Sequence, residues 1–158
     1  MNAFSGYRYT TWLHDLSPWL SDRPRLKPGK REGPAVLVVD ENIAPLITFV
    51  YLLNNHGLPA CGAGSLREAL DTLRRGDGSF RVVVASTSVI QLGAGTLARA
   101  RRSEFPNLRV IAVAEAPGIE FAQKTDCFAY LERPFRVEQF LDLVREAMRQ
   151  STVEEKRA

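Results

Sequence analysis

Residues 81–88 read Arg-Val-Val-Val-Ala-Ser-Thr-Ser. Four small apolar residues in succession, with no polar alternation, describe a strand buried on both faces. Such a strand belongs to a parallel sheet covered by helices on each side. It stops at three hydroxyl residues and no charge. In a parallel α/β sheet the carboxyl ends of the strands are where ligands sit, at the point where the winding reverses. What Ser86 does at that position therefore decides what the chain can do.

Working outward, the same texture recurs. Residues 34–40 (PAVLVVD) and 108–114 (LRVIAVA) are also continuously apolar, and 58–64 (LPACGAG) and 127–132 (CFAYLE) are shorter strands of the same kind. Helical segments separate them. Residues 43–57 (IAPLITFVYLLNNHG) end at Gly57, with Pro45 tolerated in the first turn. Residues 65–78 open on Ser65 with Glu68 three positions on, a capping box. A helix lies within 95–107, a short one within 117–126, and the last over 137–150, with Leu141, Val144 and Met148 on one side. LGAGT at 92–96 has no Lys-Ser/Thr of a phosphate-binding loop and reads as a connection. The pattern predicts an α/β fold: a five-stranded, doubly wound parallel sheet in a three-layer sandwich of flavodoxin type. The residues at the strand ends are Asp40 and Glu41, Ser86, Ala114 and Glu115, and Arg133.

Residues 1–33 are different. SDRPRLKPGKREGP, with three prolines and two glycines, reads as a basic linker. Before it, TTWLHDLSPWL places Trp12, Leu13, Leu16, Trp19 and Leu20 near one face of a short helix capped by Thr10 or Thr11, with Pro18 shortening or kinking it. Trp12 and Trp19 either pack on the chain's own domain or anchor a partner or second subunit. Residues 1–33 hold six Lys/Arg against three acids, and the rest balances at 15 against 15. The net charge of +3 thus belongs to the extension. A neutral body gives no sign of direct nucleic-acid binding. No apolar run approaches the roughly 20 residues of a membrane span, and the N-terminus lacks the charged-then-apolar order of a secretory signal. Cys61 and Cys127 form no framework and fit reduced thiols in a cytoplasmic protein. Residues 151–158 (STVEEKRA) read as a frayed polar tail.

VLVVDEN at the first strand, LREAL in the second helix, the apolar third strand, RVIAVA, and AYLERPF at the fifth strand together resemble the receiver domain of bacterial two-component response regulators, the CheY-like fold. The resemblance covers roughly residues 34–150. It implies transfer of a phosphoryl group from a phosphohistidine to an Asp at the end of strand three. It also implies a divalent ion, usually Mg²⁺, held by that Asp and an acidic pair, with a Thr or Ser after strand four and a Lys after strand five on the phosphoryl oxygens.

Carried over residue by residue, Asp40 and Glu41 match the acidic pair and Tyr130 the switch aromatic. Ser86 stands where the phosphoacceptor is expected, Ala114 where the hydroxyl is expected, and Arg133 where the Lys is expected, followed by Pro134 and Phe135. The resemblance allows a cis Arg133–Pro134 bond. No acid lies between Asp77 and Glu104, so no shift of register restores the acceptor. A Ser hydroxyl without a base is a poor acceptor, and neither His14 nor His56 is placed to serve as one. Arg133 presents a planar fork in place of a compact ammonium, long enough to reach Asp40 and Glu41. Only 18 residues separate Ala114 from Arg133, so the fourth helix is trimmed and Phe121, Phe128 and Tyr130 lie nearer the surface.

The expectation is a receiver-like, non-enzymatic signalling module lacking Asp phosphorylation and acting through protein contacts. Its partner is a histidine kinase, another regulator or a second copy. No cofactor is required, any Mg²⁺ at Asp40 and Glu41 is weak, and a DNA role would come through another chain. A working phosphorelay regulator, phosphorylation on Ser86 or Thr87, and a scaffold or homodimer built on the Trp-bearing N-terminus are the alternatives. Arg74, Arg75, Arg99, Arg101 and Arg102 read as solvated helix faces.

Overall fold

The computed structural model describes residues 34–157, apart from 77, 94 and 115–126. The N-terminal helix with Trp12 and Trp19, and the short helix expected at 117–126 with Phe121, lie outside the described residues. The strands are β1 (Val36–Val39), β2 (Ala60–Ala63), β3 (Val82–Ser86), β4 (Arg109–Ala114) and β5 (Ala129–Glu132). All pair in parallel, in the order β2-β1-β3-β4-β5. Each apolar run lies in the sheet, and β1 is buried along its whole length. Among the described residues no helix is long and apolar enough to cross a membrane.

Alternation along the strands sorts the core into two layers. Val36, Val38, Val82, Val84, Ile111 and Val113 face α1 (Ile43–Asn55) and α5 (Val137–Arg157). Leu37, Val39, Val83, Ala85, Val110 and Ala112 face α2 (Leu66–Arg75), α3 (Thr87–Leu92) and α4 (Thr96–Ser103). The result is the three-layer sandwich that the strand texture predicts.

Local chemistry sets the helix starts. Asn42 caps α1, its Oδ1 accepting from the Ala44 N–H. Ser65 Oγ accepts from the Glu68 N–H (3.2 Å), as the capping box predicts, while the Glu68 carboxylate reaches back to accept from the N–H of Gly64 (2.9 Å), one residue before the cap. Gly62 lies so close to α1 that a Cβ there would stand 2.8 Å from Leu46 Cδ1. Arg74 of α2 donates two hydrogen bonds to the Glu104 carboxylate beyond α4 (2.9 and 3.0 Å). The bond holds the carboxyl below its usual range.

Two elements differ from the sequence reading. Residues 87–92 form a helix, α3, that follows β3 without an intervening loop. Residues 151–157 are not a frayed tail: α5 continues through Arg157. Its end is fastened to the amino-terminal edge of the sheet. Ser151, only 2% exposed, donates to the Asn107 carbonyl (2.7 Å), and Arg81 donates to Thr152 Oγ1 (2.6 Å). Removing a buried donor leaves its acceptor unsatisfied, at about 1–3 kcal/mol. Ser151→Ala is therefore expected to lower stability by about 1–2 kcal/mol in urea unfolding. A change indistinguishable from zero would mean that the contact does not hold the helix end.

Candidate functional site

The candidate site is the carboxyl edge of the sheet, between the ends of β1, β3, β4 and β5. Parallel pairing puts Val39 beside Ala85, Ser86 beside Val113 and Ala114 beside Glu132. The residues singled out in the sequence therefore end neighbouring strands, except Tyr130, which lies within β5.

Asp40 follows β1 and is 8% exposed. Its N–H donates to the Ala63 carbonyl (3.2 Å) and its Oδ1 accepts from the Asn42 N–H (2.8 Å), so the carboxylate shapes the turn into α1. Glu41 is exposed.

Ser86 closes β3, half-buried, with extended backbone (φ −64°, ψ 147°). Its Oγ accepts from the Val89 N–H (3.4 Å) and lies 3.0 Å from Ser88 Oγ. The hydroxyl is thus the N-cap of α3. A Ser-Thr-Ser ending on a buried strand begins a helix at once, and the first hydroxyl satisfies a backbone donor that the first turn would leave open.

Ala114 is 4% exposed and ends β4 with a methyl group that can make no hydrogen bond. Its carbonyl accepts from the Arg133 N–H (2.9 Å), tying β4 to the residue after β5. The Arg133–Pro134 peptide is cis. The Arg133 guanidinium lies over the Phe49 ring, 5.5 Å from its centroid, a cation–π distance. Phe49 was not singled out in the sequence, where it reads only as a core position of α1. Tyr130 is half-buried against the layer under α2, α3 and α4, and its hydroxyl is buried without a hydrogen-bond partner.

For a Mg²⁺ of the phosphoryl-transfer kind, which prefers oxygen ligands, these strand ends supply few of them. Two carboxylates remain, one of them with an oxygen bonded to the Asn42 N–H. The third position offers a neutral hydroxyl whose lone pair faces Val89, and Ala114 offers nothing. Among the described residues no three His, Cys, Asp or Glu side chains converge. His56 closes α1 at the opposite edge of the sheet, bonded through Nδ1 to the Leu52 carbonyl (2.8 Å). It is not a base for Ser86.

No protein-family model and no curated protein matches the chain. Solved structures do. A response regulator receiver domain from Clostridium thermocellum is 22% identical, with a TM-score of 0.66, and covers 75% of this chain and 96% of its own. The signal receiver domain of an HD domain-containing protein from Pseudomonas fluorescens is 21% identical, with a TM-score of 0.71, over 85% and 100%. NtrX from Brucella abortus is 20% identical, with a TM-score of 0.67, over 77% of this chain and 27% of that larger one. The likeness is one of fold: the chain has the CheY-like receiver fold.

Proposed function

We propose that this chain is a receiver-like signalling module of a two-component or phosphorelay system that works through protein–protein contacts and not through phosphorylation of an aspartate. One observation carries the reading: Ser86 ends β3, and its hydroxyl caps α3. Accepting a phosphoryl group from phosphohistidine as an acyl phosphate requires a carboxylate oxygen at that point. A serine can form only a phosphate ester, and needs a base to do so. Ala114 and the absence of a convergent acidic triad among the described residues point the same way. The signal then lies in shape and surface, with a histidine kinase, another regulator or a second copy as the partner.

The test is chemical. The full chain is incubated with acetyl phosphate and Mg²⁺, and its intact mass is measured. An unchanged mass is the expected result. A gain of one phosphate that hydroxylamine removes would be an acyl phosphate and would overturn the reading. A gain that hydroxylamine leaves in place, mapped to Ser86 or Thr87, would overturn it in favour of a phosphoester switch.

A further inference from the structure

We propose that the side chain of Asn54 closes the β2 edge of the sheet and keeps it from taking a further strand. The proposal concerns the backbone of an edge strand and rests on no part of the module reading; either can fail alone. Among the described residues β2 has a strand on one side only, β1. The outer side of an edge strand presents unpaired N–H and C=O groups, a template for any extended segment, and proteins blunt it with charge, proline or a bulge. β5, at the other edge, ends on the exposed carboxylate of Glu132. Ala60–Ala63 reads ACGA, with neither charge nor proline, and its register with β1 runs unbroken.

The hydrogen bonds show which groups of β2 point outward. Successive residues of a strand turn their backbone groups to opposite sides. The Pro59 and Ala63 carbonyls accept from the N–H groups of Val36 (3.1 Å) and Asp40 (3.2 Å). Residues 59, 61 and 63 therefore face β1, and Ala60, Gly62 and Gly64 face away from it. Asn54, in the last turn of α1, takes both outward groups of Ala60. Its Oδ1 accepts from the Ala60 N–H (3.1 Å) and its Nδ2 donates to the Ala60 carbonyl (3.0 Å). The other Nδ2 proton goes to the Val50 carbonyl of α1 (2.9 Å), which fixes the orientation of the amide.

Giving one bond to a residue and taking one from it copies the hydrogen-bonded pair of an antiparallel neighbour. The amide is thus a one-residue stand-in for a strand. Beyond it, Gly62 is buried, with α1 so close that a Cβ would meet Leu46, and the Gly64 N–H is held by the Glu68 carboxylate (2.9 Å). A strand joining this edge would need the same Ala60 groups, so it must first displace Asn54. Fastening α1 to the sheet does not require the amide, because Leu53 and Leu58, on either side of it, are already buried in the core.

Asn54→Ala in the full chain tests this. Alanine favours helix more than asparagine does, so α1 should form, and circular dichroism checks it. Should that variant misfold, Asn54→Ser, too short to reach both Ala60 groups, decides. Two results are expected together. In dilute solution, amide hydrogen exchange at Ala60 should quicken by about tenfold, while Cys61 and Ala63, in the ladder with β1, keep their native rates. On concentration, the variant should associate further than the native chain in sedimentation velocity and gain the infrared band of intermolecular strands. Ser151→Ala, which loosens the end of α5 without touching β2, controls for lost stability and should not associate further. Native exchange at Ala60 overturns the proposal, and so does faster exchange with no added association. Association that Ser151→Ala matches also overturns it. None of these outcomes bears on whether acetyl phosphate labels the chain.

Discussion

Phe140→Ala is expected to lower the unfolding free energy by about 3–5 kcal/mol. Phe140 is fully buried at the first turns of α5. Its ring centroid lies 4.9 Å from that of Phe49 and 6.0 Å from that of Phe135. Phe49 and Phe135 stack at 6.0 Å. The three rings join α1, the segment after β5 and α5, so the cavity left by truncation borders three separate pieces of backbone. Such a site collapses poorly, which puts the cost toward the upper end of the range. Breaking each ring–ring pair adds about 0.5–1.5 kcal/mol beyond area burial. Against a total of about 5–15 kcal/mol for a domain, this is the difference between a folded and a marginal protein. Urea unfolding with an unchanged slope checks it. A loss under about 1 kcal/mol would mean that the cluster is not packed as described. The cluster also supports the site, because Arg133 lies over Phe49. Losing Phe140 therefore loosens the ring on which the guanidinium rests.

The parts legible in the sequence are those set by local chemistry. β1, β3 and β4 show themselves as unbroken apolar runs because a strand buried on both faces leaves no room for alternation. α2 shows itself through Ser65 and Glu68, since the bonds these two side chains make are confined to residues 64–68. The parts that were not legible are set by contacts distant in sequence, or by one side chain with two readings. The end of α5 carries no apolar repeat in STVEEKR; its order comes from Asn107 and Arg81, 44 residues from Ser151 and 71 from Thr152. α3 is only six residues long and opens on hydroxyl residues that favour turns as readily as caps. At Ser86 the sequence shows a hydroxyl residue at a strand end, but not that the hydroxyl holds the next helix. Arg133 reads as a charge facing Asp40 and Glu41, and the sequence gives no hint of the Phe49 ring beneath it.

Ser86→Asp separates these two roles, and its effect is expected to depend on the divalent ion. Aspartate caps helices as well as serine does, so α3 should form unchanged. The new carboxylate, however, ends β3 beside the end of β1, because Val39 pairs with Ala85. Adjacent strands lie about 4.8 Å apart. Two carboxylates about 5 Å apart repel by roughly 3 kcal/mol at an effective dielectric constant of about 20. With Asp40 only 8% exposed, water screens that repulsion weakly. In a chelator the variant should therefore melt well below the native chain. Three acids at one strand edge form the oxygen-rich set that a hard cation prefers. Millimolar Mg²⁺ should then restore stability, by about 2.7 kcal/mol when the ion is at a hundred times its dissociation constant. The native chain, with Ser86 neutral and capping, should show no such response. Thermal melts of both proteins in EDTA and in Mg²⁺ decide the matter. An equal Mg²⁺ shift in the native chain would mean that Asp40 and Glu41 already suffice to hold the ion. An unresponsive variant would mean that position 86 does not face them, and the empty acceptor position could not then explain why the chain should signal without phosphate.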